Sequence, residues 1–68
     1  MTVDQLEKGD IVTYRNGQVN RVNKPIKYKK YFDDDLTNKN NFNADIIKVQ
    51  RFVKFLGLYR LKTIYKRD

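Results

Sequence analysis

This chain predicts an all-β domain, small enough to be a five-stranded barrel, and three observations point there. Its β-rich runs are short and follow one another closely. The first two are split by Asn16-Gly17, the strongest short-range hairpin signal. Gly9, Gly17, Pro25 and Gly57 fall where the runs break. The 68 residues make a single domain, residues 1–68, with no internal repeat. A chain this short buries only about 60% of the surface its unfolded form exposes, so its stability margin is thin. Ordering each residue costs roughly 1.5 kcal/mol, and the apolar residues must pack efficiently to offset that.

The first hairpin joins Ile11 to Arg15 with Gln18 to Val22. A two-residue type I′ turn at Asn16-Gly17 sets Arg15 opposite Gln18, Tyr14 opposite Val19 and Val12 opposite Arg21. Asn23-Lys24-Pro25 then breaks the pattern, because Pro25 removes a ladder donor and pushes Lys24 towards an extended or turn conformation. Ile26 to Phe32 reads as a third strand, with Ile26, Tyr28, Lys30 and Phe32 on one face and Lys27, Lys29 and Tyr31 on the other. Neither face is cleanly apolar, as suits a rim or edge strand.

From Asp33 to Asn43 the chain has no periodicity and is rich in residues that compete with the backbone for hydrogen bonds, which marks a loop. Leu36 and Phe42 are its expected pegs into the core. Ile46 to Phe55 is the fourth strand, with Ile47, Val49, Val53 and Phe55 on one face, Ile46, Lys48, Gln50, Phe52 and Lys54 on the other, and Arg51 interrupting the apolar side. Between Gln50 and Lys62 the residues Phe52, Phe55, Leu56 and Tyr59 also fit helical spacing. Gly57 argues against a helix by about 1 kcal/mol, and strand, turn near Gly57, strand is the reading preferred. Leu58 to Tyr65 is the fifth strand, with Tyr59, Leu61, Thr63 and Tyr65 together on one face.

The net charge is +7 and unevenly placed. Residues 11–32 hold six bases and no acid, and residues 46–67 hold seven bases and no acid. The acids cluster at Asp4, Glu7 and Asp10 and at Asp33-Asp34-Asp35. Such a field favours polyanions or acidic protein surfaces. Without Cys or His there is no disulfide and no soft-metal site. No apolar run approaches the roughly 18 residues of a membrane span, and the N-terminus lacks a secretion pattern. The expectation is a soluble protein of the cytoplasm that uses neither a membrane nor a small-molecule substrate. No residue pattern specifies an oligomer.

Candidate chemistries are few. Laid on a calcium-binding loop from Asp33, the chain offers Asn38 where Gly is required and Ala44 where Glu is required, so that motif fails. The three aspartates read better as a solvated loop, one of them capping a turn, than as a looser Mg²⁺ or Ca²⁺ site. Catalysis needs a positioned nucleophile or a group titrating near neutrality. His, Cys and Ser are absent, no other pair stands out by spacing, and the three glycines read as turn residues. The chain is therefore expected to be neither an enzyme nor a cofactor binder.

One pattern does carry function: bases interleaved with aromatics, in Lys27-Tyr28-Lys29-Lys30-Tyr31-Phe32, Arg51-Phe52-Val53-Lys54-Phe55 and Tyr59-Arg60. Binders of single-stranded nucleic acid use this composition, with aromatics stacking on bases and lysines following phosphates. Lys27, Lys29, Tyr31, Lys48, Phe52, Lys54, Arg60 and Lys62 are the candidate contacts. A basic 68-residue domain also needs aromatics inside and lysines outside for folding alone, and the same surface would suit an acidic protein partner.

Two segments add a resemblance. Leu6-Glu-Lys-Gly-Asp-Ile-Val-Thr-Tyr-Arg-Asn-Gly17 and Tyr31-Phe-Asp-Asp-Asp-Leu-Thr37, leading into Asp45-Ile-Ile-Lys-Val-Gln-Arg51 and Thr63-Ile-Tyr-Lys-Arg67, resemble small, mostly uncharacterised proteins from phages and prophages of Gram-positive bacteria. The likeness covers about half the positions. Its motifs are structural, so it implies an SH3-like barrel and a phage or prophage origin, acting in the bacterial host cytoplasm. Phe52 to Gly57 stands where those proteins tend to have Pro, and Asn23 to Lys30 is short for a strand pair. A strongly bent, open antiparallel sheet is the alternative architecture. The functional expectation is an accessory module that binds nucleic acid or a nucleoprotein; the alternative is a modulator of a bacterial host enzyme, such as a defence nuclease or the transcription machinery.

Overall fold

Four strands, β1 (Ile11–Tyr14), β2 (Val19–Arg21), β3 (Ile46–Phe55) and β4 (Leu58–Lys66), form one antiparallel sheet in the computed structural model, which describes residues 1–67. Their order is β2-β1-β3-β4. The outer strands β2 and β4 do not pair with each other, so the sheet is open, with four strands rather than five. The all-β reading holds, since most regular structure is strand and the helices are single turns.

The missing strand is Ile26 to Phe32, which is helical as far as Tyr31, with Phe32 extended and bridged to Asn38. Pro25–Lys27 is a 3-10 turn that runs into α1 (Tyr28–Tyr31). Pro25 occupies the first helical position, where its fixed φ fits and its absent N–H is not needed. Tyr28 and Phe32, four residues apart, both reach the core and stack at 5.7 Å between ring centroids. The helical turn keeps these two rings on the core and leaves out Ile26, 78% exposed, and Lys30, both of which strand alternation would have placed on the same face.

The first hairpin forms with a different turn and register. Of Asn16 and Gly17 only Gly17 has a positive φ, +90°. The Gly17 N–H donates to the Tyr14 carbonyl at 2.9 Å, closing a type I turn with a left-handed glycine in a three-residue loop. Pairing is Ile11 with Arg21, Val12 with Asn20 and Thr13 with Val19, one residue away from the type I′ expectation. A one-residue slip reverses the faces of a strand. Here it brings Val12 and Val22, both fully buried, to the same side. The loop is also held from outside, by Arg15 N–H to the Asp45 carbonyl (2.8 Å) and Asn16 N–H to the Asn43 carbonyl (2.9 Å).

Two β-bulges revise the faces of the long strands. Thr13 pairs with Lys48 but Tyr14 with Ile46, leaving Ile47 as the extra residue. The bulge turns both Ile46 and Val49 inward. Of the expected inward set only Val49 is fully buried; Ile47 and Val53 are half-buried and Phe55 is 61% exposed. On β4, Val49 pairs with Tyr65 and Gln50 with Thr63, so Ile64 is extra and Tyr65 parts from Tyr59, Leu61 and Thr63.

Everything that is not sheet covers one face. Val3, Leu6, Tyr28, Phe32 and Leu36 pack there on Val12, Val22, Ile46 and Val49, with Met1, Tyr14, Ile64 and Tyr65 at the margin. Leu36 is the peg that ties down the Asp33 to Asn43 segment. It accepts a left-handed φ of +70° and is fully buried, and its carbonyl receives the Ile46 N–H at 3.0 Å. Phe42 is not a peg, being 67% exposed at the start of the 3-10 turn Phe42–Ala44.

The Gln50 to Lys62 segment is strand, turn, strand. Phe55 pairs with Leu58, and Leu56 (φ +51°) and Gly57 (φ +81°) form the two-residue turn, with both central residues left-handed as type I′ requires. Beyond Arg51 and Lys62 this hairpin has no core behind it and projects as a two-stranded ribbon. The molecule measures 41 × 23 × 17 Å, with a radius of gyration of 12.0 Å. A compact chain of this length has about 11 Å.

Candidate nucleic-acid interface

Strand alternation and the observed register decide what the uncovered sheet face presents. Opposite the buried side of Val12 and Val49 lie Val19 and Arg21 from β2, Ile11 and Thr13 from β1, Lys48, Gln50, Phe52 and Lys54 from β3, and Tyr59, Leu61, Thr63 and Lys66 from β4. This face carries four bases and no carboxylate. Phe52 pairs with Leu61 and Lys54 with Tyr59, so the ribbon continues the face as two adjacent rungs of aromatic, aliphatic and basic side chains. Phe52 and Tyr59 are 52% and 71% exposed. The Lys54 ammonium stands 6.0 Å from the Tyr59 ring centroid.

Of the residues singled out from sequence, Lys48, Phe52 and Lys54 come together here. Arg60 and Lys62 lie on the same ribbon but on its other face, with Arg51, Val53, Phe55 and Leu58. The helical conformation of Pro25 to Tyr31 removes Lys27, Lys29 and Tyr31 to a different part of the molecule. Lys29 is engaged by Asp4 in an ion pair, and this hydrogen-bonded carboxylate raises the pKa of the lysine. Lys27 and Tyr31 line a recess of about 360 Å³ with Tyr14, Asn20, Tyr28 and Phe32, on the covered side of the sheet. In that recess the Asn20 amide donates to the Tyr28 hydroxyl at 3.0 Å, and burial is the main cause that pushes the Tyr28 phenol up to about 12.

Arg21, Leu61 and Lys66 are face residues that sequence reasoning passed over, and Tyr59 belonged to the base–aromatic pattern without being named a contact. Counting outward from a two-residue turn at Leu56-Gly57 would have placed Tyr59 against Lys54 and Leu61 against Phe52. The other two depend on the first-hairpin register and the Ile64 bulge.

Two arginines are committed to structure instead of to a surface. Arg51 makes a two-pronged contact with Asp10: Nε donates to Oδ1 and Nη2 to Oδ2, both at 2.8 Å. Nη2 also donates to the Gln5 carbonyl at 2.8 Å, and Nη1 lies 2.6 Å from Glu7. The hydrogen bonds that Arg51 donates to Asp10 lift the guanidinium pKa above its ordinary value. Asp10 is 1% exposed and its Oδ2 additionally receives the Glu7 N–H at 2.9 Å, so both carboxylate oxygens are hydrogen-bonded. Arg15 answers the second buried acid, Asp45, at 3.5 Å and lies 4.2 Å from the Phe42 ring centroid. One pair closes each end of the β1–β3 ladder, with Asp10 leading into β1 and Asp45 into β3.

The aspartate cluster is solvent-exposed. Asp35 Oδ1 receives the Thr37 hydroxyl at 2.6 Å and the Thr37 N–H at 3.1 Å, and these two bonds, the hydroxyl first, lower its pKa. Among the described residues no three acids are gathered as a metal ion would need, and no helix is long and apolar enough to cross a membrane. Comparison of the chain with protein-family models, curated proteins and solved structures returns no match.

Proposed function

We propose that this protein is a non-enzymatic nucleic-acid-binding module that lays the open face of its sheet and ribbon along the phosphate backbone. The observation that carries the reading is a continuous sheet face with four bases, exposed aromatics and no carboxylate. Lysines along a strand neutralise phosphates without reading sequence, and Phe52 and Tyr59 offer π-faces to bases. The resemblance to small phage and prophage proteins supports an accessory role in the cytoplasm of a bacterial host.

Titration of fluorescently labelled oligonucleotides over a series of salt concentrations tests it. With about four phosphates neutralised, log K falls against log salt with a slope near −3 to −4. Lys48→Ala and Lys54→Ala each reduce that slope by about 1, and Phe52→Ala weakens binding by about 1–3 kcal/mol with little change in slope. Lys29→Ala, on the far side and already paired with Asp4, leaves binding unchanged. Absent or salt-independent binding to DNA and RNA rejects the reading.

A second reading, a modulator of a host enzyme, is favoured by the exposed apolar side chains of the ribbon, which would suit a protein surface as well. Retention of one stoichiometric partner from a host lysate after nuclease treatment would select it.

A further inference from the structure

Leu56 is unexplained by the fold. A type I′ turn favours Asn, Asp or Gly at its first central position, and a left-handed leucine costs about 1–2 kcal/mol. Among the described residues no packing offsets that cost, since Leu56 is 86% exposed. Its neighbours Phe55 and Leu58, 61% and 66% exposed, complete an apolar cap on the end of the ribbon. Strained residues of this kind persist where they serve a site.

The charge behind the cap selects the occupant. Residues 46–67 contain no acid. A second copy would set Lys54, Arg60 and Lys62 against the same residues with no carboxylate in the ribbon to answer them. A bilayer met end-on would feel only charges within a Debye length, about 8 Å, which covers Lys54 and Arg60 and leaves Lys62, Lys66 and Lys48 idle further back. A nucleic-acid duplex lying along the uncovered face of the sheet and ribbon meets Lys54, Lys48 and Lys66 together, since all three share that face. Grooves of B-form DNA accept two-stranded ribbons, and apolar wedges such as Leu and Phe unstack base steps at a cost of a few kcal/mol, repaid by the added contact.

Resting on the nucleic-acid reading above, we infer that the Phe55-Leu56-Gly57-Leu58 tip is a wedge that enters between stacked base pairs of duplex DNA held along the ribbon. Opening the stack also explains how Tyr59 and Phe52, one and three rungs behind the Phe55–Leu58 pair, would reach bases that an intact duplex hides.

The test uses the full chain and a 2-aminopurine-labelled duplex, reading binding by anisotropy and unstacking by the rise in 2-aminopurine fluorescence. L56N is the decisive variant because asparagine suits the turn and removes the wedge. Wild-type protein is expected to bind with a fluorescence rise, and L56N to bind within about tenfold, equivalent to 1.4 kcal/mol, with the rise lost. Wild-type binding without a rise, or an undiminished rise in L56N, overturns the wedge and leaves the nucleic-acid reading standing. No binding to the duplex or to single strands overturns both. Leu56-dependent binding to anionic phosphatidylglycerol vesicles, with no duplex unstacking, also overturns the wedge and reassigns the tip to a lipid surface.

Discussion

Arg51 shows how a single residue can be misread when its partner is remote in sequence. Along β3 it interrupts an apolar face; in space it meets Asp10, forty-one residues away, through a fork that also reaches the Gln5 carbonyl. A domain of this length has roughly 3–10 kcal/mol of stability in all. Removing the arginine leaves a carboxylate that is 1% exposed without its counter-charge. Because Arg51 is partly exposed, Arg51→Met should cost about 3 kcal/mol, the lower end for a broken buried pair, measured by urea unfolding. Arg51→Lys should recover little of it, since an ammonium cannot reproduce the two-pronged geometry. Tyr28 gives a pH signature. Its folded pKa, pushed up to about 12 chiefly by burial, exceeds the ordinary value of 10.0. The folded state thus holds the phenolic proton more tightly than the unfolded state, so this contribution is fully present below pH 10 and is lost as pH rises through 12. Tyr28→Phe should flatten that part of the alkaline stability profile and remove an ionisation near pH 12 from the ultraviolet titration.

At the scale of elements, turn chemistry and core support part company. The Asn16-Gly17 pair, with the best type I′ residues, makes a type I turn with a left-handed glycine, while Leu56-Gly57 makes the type I′ turn. Docking explains the first, because the loop's own N–H groups are taken by Asp45 and Asn43. Leu56→Asn should raise stability by about 1 kcal/mol by relieving a left-handed leucine, seen as a higher thermal midpoint. The ribbon beyond Arg51 should be dispensable for folding, since every fully buried apolar residue among those described precedes Gln50. Replacing residues 52–61 by Asn-Gly joins Arg51 to Lys62, which already face each other, across a two-residue turn. Its unfolding free energy should stay within about 1 kcal/mol of the parent, since exposed positions away from the core contribute little.

Across the whole molecule, a small body at one end carries a basic ribbon at the other, and the body's helices and loops all lie on a single side of the sheet. The extended shape is why the radius of gyration exceeds that of a compact chain. It also separates folding from binding, which the shortened variant can demonstrate. Losing Lys54 from the binding face together with Phe52 and Tyr59, it should keep its fold by circular dichroism while its salt slope with oligonucleotides falls by about 1.

Local pattern determined much of this protein: the turn near Gly57, the strands on either side of it, the irregular aspartate loop with Leu36 as its peg, and the sharing of one face by Lys48, Phe52 and Lys54. Each of these follows from period-two alternation or from residues whose backbone preferences act within a few positions. What only the tertiary structure decided were the helical turn at Tyr28, the slipped register of the first hairpin, the bulges at Ile47 and Ile64 and the openness of the sheet. For the register and the Ile47 bulge the deciding quantity was joint burial, since Val12 with Val22 and Ile46 with Val49 could each share the core only if turn preference or alternation gave way; the helical turn instead keeps Tyr28 and Phe32 in the core while leaving Ile26 and Lys30 exposed, which alternation would have set beside them. The sheet stays open for a related reason. Once Pro25 to Tyr31 has coiled onto the covered face, no fifth strand is left to join β2 to β4.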